Sequence, residues 1–289
     1  MQRFLTILMA LCCSVLLTLP AGAGTDPESD GPQHLPRLGE LVTTHLNGQS
    51  INYWETSKLG QTPLIIFSHG FGGCGTHIGF MATELAKKGW LVVAPDHSDA
   101  ACRANRNILK PLTDPATWDE TSFVERRDEI RKTLRSLHAD AKWRDRIDWS
   151  RVALMGHSLG GYTALAMAGG LPGWRVDGIS AVLALAPYCG ALSMKGALHE
   201  VSVPVMYVGG NRDPISGNMV ANKGGCFDHT SGEVSYVEVD RANHMSFTNV
   251  DSMGHGQMIN YATQFFTAAF EGKSLHLSPM QGVNIVRQK

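Results

Sequence analysis

The sequence carries almost no net charge and no run of one sign. Its 25 Lys and Arg residues nearly balance 26 Asp and Glu, for a formal net charge of −1 at pH 7. Nucleic-acid backbones and anionic lipid surfaces are recognised by clustered cations, so neither is implied as a partner. Metal spacings are also missing: there is no C-x-x-C, H-E-x-x-H or H-x-H, so the common zinc and dithiol-redox signatures are excluded. His69, His77 and His97 fall in neighbouring loops without ligand spacing. No internal repeat occurs, and no linker splits the body of the chain.

Long apolar runs are equally scarce. The one at the N-terminus, Phe4 to Leu19, follows Arg3 and precedes Ala21-Gly22-Ala23. A basic start, a short apolar stretch and a small-residue site define a secretory signal peptide, expected over 1–23 with cleavage after Ala23. Leu11 before Cys12 does not fit a lipoprotein signal. The expectation is an exported protein, secreted or periplasmic, with no stable membrane insertion after cleavage. Residues 24–39, rich in Pro, Gly and acid, read as a disordered leader. The remainder, 40–289, reads as a single domain. The chain is 43% hydrophobic over 289 residues, enough for a full core without metal or disulfide support.

The body opens with ELVTTHL and SINYWET around Asn47-Gly48, a strong hairpin signal. Apolar runs then alternate with helical stretches. LIIFSH (64–69) precedes a helix near 76–88, and WLVVAPD (90–96) one near 119–139. RVALMGH (151–157) precedes a helix from Ser158, and ISAVLALAPY (179–188) an irregular stretch. PVMYVGG (204–210) leads to a Gly/Asn-rich loop, and VSYVEVD (234–240) to a last helix near 251–271. These later strands are continuous in Val, Ile, Leu and Ala, as parallel strands covered on both faces are. A hairpin followed by β–α repeats predicts an α/β fold with a mostly parallel, doubly wound sheet. In the helix near 119–139, Phe123, Ile130, Leu134 and Leu137 share one face.

Of six cysteines, Cys74, Cys102, Cys189 and Cys226 outlast the signal. An even number in an exported chain favours disulfides, although four cysteines allow three pairings. Each follows a strand end, and Cys74–Cys102 and Cys189–Cys226 would each join consecutive loops at one sheet edge. Those pairs are expected. Trp90, Trp118, Trp143 and Trp174 read as packing residues.

Ligands of such sheets bind beyond the carboxyl ends of the strands. There Gly156-His157-Ser158-Leu159-Gly160 forms Gly-x-Ser-x-Gly between a strand and a helix. The glycines permit a turn so tight that the serine oxygen stands exposed above the helix N-terminus. A plain serine N-cap is the alternative; the strand-turn-helix context favours a nucleophile. Among later loops, Asp213, Asp228 and Asp240 compete as acid, and His229, His244 and His255 as base. Asp213 follows the strand ending Gly209-Gly210, and His244 falls just after the last strand. The expected order is Ser158, Asp213, His244.

From the hairpin near 40 to the helix ending near 271, the sequence resembles the α/β-hydrolase family. By that resemblance His69-Gly70-Phe71-Gly72-Gly73 is the oxyanion loop, with the N–H of Phe71 as a donor beside that of Leu159. Asp213-Pro214, His244-Met245-Ser246-Phe247 and Ala94-Pro95-Asp96-His97 resemble a branch containing dienelactone hydrolase, platelet-activating-factor acetylhydrolase and polyester-hydrolase-like proteins. Dienelactone hydrolase itself is a cysteine-nucleophile member, so its substrate is a poor guide. The resemblance implies an ester substrate, small or polymeric, cleaved through an acyl-serine without metal or organic cofactor. The short stretch between the sixth and seventh strands leaves no room for a large lid, which favours soluble or short-chain esters. An acyltransferase or peptidase of the same fold would use the same residues, and a non-catalytic binding protein remains a further alternative.

Overall fold

The computed structural model describes residues 36–56, 60–104 and 113–289. The expected signal peptide and most of the expected leader lie outside the described residues. The frame is a nine-stranded sheet built from β1 (Leu41–Leu46), β2 (Gln49–Trp54), β3 (Thr62–Ser68), β4 (Leu91–Pro95), β5 (Ile147–His157), β6 (Ile179–Leu185), β7 (Val205–Gly210), β8 (Val234–Val239) and β9 (Val283–Gln288). The spatial order is β1-β2-β4-β3-β5-β6-β7-β8-β9. Strands β3 to β8 pair in parallel, whereas β1-β2, β2-β4 and β8-β9 are antiparallel. This is the α/β-hydrolase arrangement.

Helices α1 (Gly79–Lys87), α2 (Val124–Ala139), α3 (Leu159–Leu165) and α4 (His255–Glu271) cover the sheet. Successive side chains of a strand point to opposite faces, so each parallel strand feeds two cores. Ile65 and Phe67 join Met81, Leu85, Tyr261 and Phe266 beneath α1 and α4. Leu64 and Ile66 join Ile130, Leu137, Tyr162 and Trp174 beneath α2 and α3. Every residue of α3 is buried, as befits a helix that is apolar all round.

Three local features depart from the expectation. Strand β9 was not anticipated: VNIVRQ has no continuous apolar run and is half exposed, and its order comes from the ladder it makes with β8. Strand β5 starts at Ile147, its polar first turn of chain drawn in by pairing with Thr62 of β3. Helix α2 starts only at Val124, because Phe123 sits in the left-handed region (φ 61°) and interrupts the helix there. The hairpin behaves as its Asn-Gly pair demands, with φ of 50° at Asn47 and 74° at Gly48.

Both expected disulfides form, Cys74–Cys102 and Cys189–Cys226. Cys226 is not in a loop but opens the short helix Cys226–His229. Trp118, Trp143 and Trp174 are core residues, and Trp90 packs edge-on against Phe266 and Phe270. Between β6 and β7 stand only the short helix Gly190–Met194 and the turn Ala197–Glu200, so no large lid arises there. A cross-link across a sequence separation of 37 removes about 4 kcal/mol of loop-closure entropy from the unfolded chain. Replacing Cys189 and Cys226 together by Ser is therefore expected to lower the thermal midpoint by roughly 10 °C. An unchanged midpoint in a calorimetric scan would contradict this.

Candidate active site

At the carboxyl end of β5 the chain reverses direction within one residue. Ser158 takes φ 54° and ψ −118°, a conformation that costs a non-glycine residue on the order of 1–3 kcal/mol and needs surrounding support. The support is dense: Ser158 N donates to Leu185 O (3.0 Å), while Ser158 O accepts from Gly161 N (2.9 Å), Tyr162 N (3.2 Å) and Tyr188 N (3.0 Å). The glycines are sterically required. A Cβ on Gly156 would run into Gly160 O, one on Gly160 into Ser68 O, and one on Gly161 would lie 2.6 Å from Pro187 Cβ.

The structure brings Ser158, His244 and Asp213 together. His244 Nε2 lies 2.9 Å from Ser158 Oγ, and His244 Nδ1 lies 2.9 Å from Asp213 Oδ2. With a carboxylate at Nδ1, that nitrogen carries the proton and Nε2 is left to accept from the serine hydroxyl. The Asp213 side chain is wholly buried. Burial alone would raise its pKa, but the hydrogen bonds and charge of His244, the Ser216 hydroxyl and the Ile215 N–H hold it at about 2. His244 stands in the turn His244–Phe247, fixed by an Asn243/Ser246 capping box that Asp251 ties down by accepting from both side chains.

The competing residues are engaged elsewhere. Asp228 accepts from Gly224 N and Arg287, and Asp240 from Asn211 and Asn284. His229 meets Ser193 Oγ at 2.6 Å, and His255 opens α4 and stacks on Phe80.

The His69–Gly73 loop lies against the serine: a Cβ on Gly70 would stand 3.4 Å from Ser158 Cβ and 3.0 Å from His157 Nδ1. The backbone N–H groups of Phe71 and Leu159 take no acceptor among the described residues. His69 is a structural hydrogen-bonder, donating from Nδ1 to Gly70 O (2.8 Å) and accepting at Nε2 from His97 N (3.0 Å).

Three polar groups escaped the sequence reading. His157 donates from Nε2 to His244 O (3.0 Å), holding the His244 backbone from below. Arg126 and Glu129 of α2 turn inward. Glu129 accepts from His97 Nδ1 (2.8 Å) and Ser98 N (2.9 Å), and Arg126 reaches the carbonyls of His69 and Gly70. A signal for Arg126 was present: it occupies the face of α2 shared by Ile130, Thr133 and Leu137, where a charge is out of place unless buried with partners.

Among the described residues, no helix is long and apolar enough to cross a membrane. A family model described as PET hydrolase-like matches residues 40–268. The chain is 29% identical to a platelet-activating factor acetylhydrolase of Gallus gallus, over 36% of this chain and 34% of that protein. It is 25% identical to a bis(hydroxyethyl) terephthalate hydrolase of Streptomyces coelicolor, over 72% and 59% of the two chains. It is also 25% identical to cutinase est1 of Thermobifida alba, over 78% and 66%. The chain thus spans less than two thirds of the length of each of these relatives.

His69, His97 and His157 are buried, and burial, reinforced by neighbouring His and Arg groups, lowers each pKa well below the ordinary imidazole value. Below about pH 6.5 the unfolded chain takes up protons that the folded chain refuses. The stability these rings contribute is therefore complete above pH 6.5 and declines as the pH falls. Three such rings amount to about 4 kcal/mol between pH 7.5 and pH 5.5. Urea unfolding at the two pH values is expected to show that loss, and equal stabilities would contradict it.

Proposed function

Because the chain belongs to the PET hydrolase-like family, we propose that it is a secreted serine hydrolase that cleaves carboxylic esters at Ser158. The observation that carries this reading is the unbroken line from Ser158 Oγ through the His244 ring to Asp213, with 2.9 Å at each contact. The ester-directed names of the relatives support the substrate class.

In this reading His244 Nε2 takes the Ser158 proton as Oγ attacks the ester carbonyl. Asp213 keeps the imidazole in the competent tautomer and stabilises its cation. The carbonyl oxygen becomes an oxyanion between the free N–H groups of Phe71 and Leu159, each donor being worth about 3 kcal/mol in the transition state. His244 then protonates the leaving alcohol, leaving an acyl-serine. Water attacks that ester with His244 again as base, releasing the acid. No lid stands between β6 and β7, which favours soluble or short-chain esters and leaves an exposed polymer chain able to approach. Cleavage of the signal after Ala23 and export complete the proposal, and two disulfides accord with an oxidising compartment.

A p-nitrophenyl ester series from acetate to laurate tests it, with the wild type and Ser158→Ala side by side. The wild type is expected to turn over the short esters fastest, and the variant to lose at least about 10⁴-fold in kcat. Equal rates in the two proteins, or activity confined to laurate, would overturn the corresponding part of the reading.

A further inference from the structure

The second donor proposed above, the N–H of Phe71, hangs on a loop of glycines, and glycine-rich backbone does not hold a direction by itself. The side chain of Arg126 is nearly inaccessible, 1% exposed. Its Nη1 donates to His69 O at 2.6 Å, and its Nη2 to Gly70 O at 3.2 Å. The same Nη2 contacts Asp99 at Oδ1 (3.0 Å) and Oδ2 (2.7 Å). Asp99 Oδ2 in turn accepts from Gly72 N at 3.1 Å. One ion pair therefore holds the loop on both sides of Phe71.

The peptide joining Gly70 to Phe71 is planar and trans, so its C=O and its N–H point in opposite directions. Fixing Gly70 O on the guanidinium turns the N–H of Phe71 away from α2, on a loop so near Ser158 that a Cβ on Gly70 would stand 3.4 Å from Ser158 Cβ. We propose that the Arg126–Asp99 pair is a positioning device that sets the orientation of the Gly70–Phe71 peptide and so aims the oxyanion donor. This rests on the ester-hydrolase reading of the site. A buried ion pair is in general a poor source of stability, since hydrophobic residues of equal volume do as well. Orientation explains why charge is used here: the planar fork of arginine fixes two carbonyls and a carboxylate at once, which lysine cannot do.

The test uses Asp99→Asn and Arg126→Lys. For each, kcat is normalised to the sites titrated by a fluorophosphonate, and KM, the inhibition constant of a trifluoromethyl ketone (which forms an oxyanion adduct) and the thermal midpoint are measured. The expected result is a normalised kcat about 10- to 100-fold lower, inhibitor affinity weakened by the same factor, and KM within about threefold of wild type. A merely structural pair would lower the midpoint and the number of titratable sites while leaving normalised kcat and inhibitor affinity within about twofold, and that result would overturn the proposal. Amide exchange at Gly72 and Gly73 reads the clamp without turnover. It is expected to accelerate in Asp99→Asn relative to the β-sheet amides, and unchanged exchange there would also overturn the proposal. If the wild type shows no Ser158-dependent esterase activity, the ester-hydrolase reading fails, and the exchange result alone decides whether the pair orients the loop.

Discussion

Everything at the site depends on how closely three backbones approach where β5 turns into α3. Gly156 packs on Gly160, Gly160 on the end of β3, and Gly161 on Pro187 after β6. A methyl group at any of these would push apart the elements that place Ser158, the His69–Gly73 loop and the neighbouring strand in register. The positive φ of Ser158 follows from that crowding. It is maintained by four backbone hydrogen bonds, two from within α3 and two reaching to β6 and the segment after it. The parallel sheet makes this possible, since it delivers the ends of β3, β5, β7 and β8 to one edge without any of them spanning the site.

Around that corner the structure applies one solution repeatedly: an irregular loop at the candidate site is held by a buried polar side chain from elsewhere. Asp213 is fixed by Ser216 and Ile215. His244 is fixed by a capping box and Asp251, and its carbonyl by His157. The His69–Gly73 loop is held by Arg126 and Asp99 on one side, and Cys74–Cys102 ties its end to the loop after β4. Loops cannot draw on ladder hydrogen bonds, so their geometry comes from such partners. Each partner is satisfied, as buried polar networks must be if they are to rigidify rather than destabilise.

What could be read from the residues alone follows from the range of the interactions. Gly-x-Ser-x-Gly between an apolar run and a helical stretch is a local pattern, as is Asn47-Gly48, and both describe the backbone that forms. Asp213 and His244 were legible because each follows a strand end, and parallel strands bring such ends together. Strand β9 was not, because its order comes from β8 across the sheet edge and its own residues are half polar. Arg126, Glu129 and His157 were not singled out because their partners lie 27 to 87 residues away. In sequence a buried arginine looks like a surface one, except for its place on an apolar helix face.

The central claim is that Ser158, and no other serine, becomes acylated. Among the described residues Ser68 also meets His97 at 2.8 Å, with Glu129 on the other ring nitrogen, but serine and ring are sealed from solvent at 1% and 0% exposure. Ser193 meets His229 at 2.6 Å, where no carboxylate approaches the ring among the hydrogen bonds of the described residues. Acid quenching during turnover of p-nitrophenyl acetate, followed by peptide mass mapping, distinguishes Ser158 from Ser193 and Ser68 directly. The account predicts an acetyl group on the peptide carrying Ser158 and none on those carrying Ser193 and Ser68. An acetyl group on Ser193 or Ser68, or turnover with no acyl-enzyme at all, would contradict it.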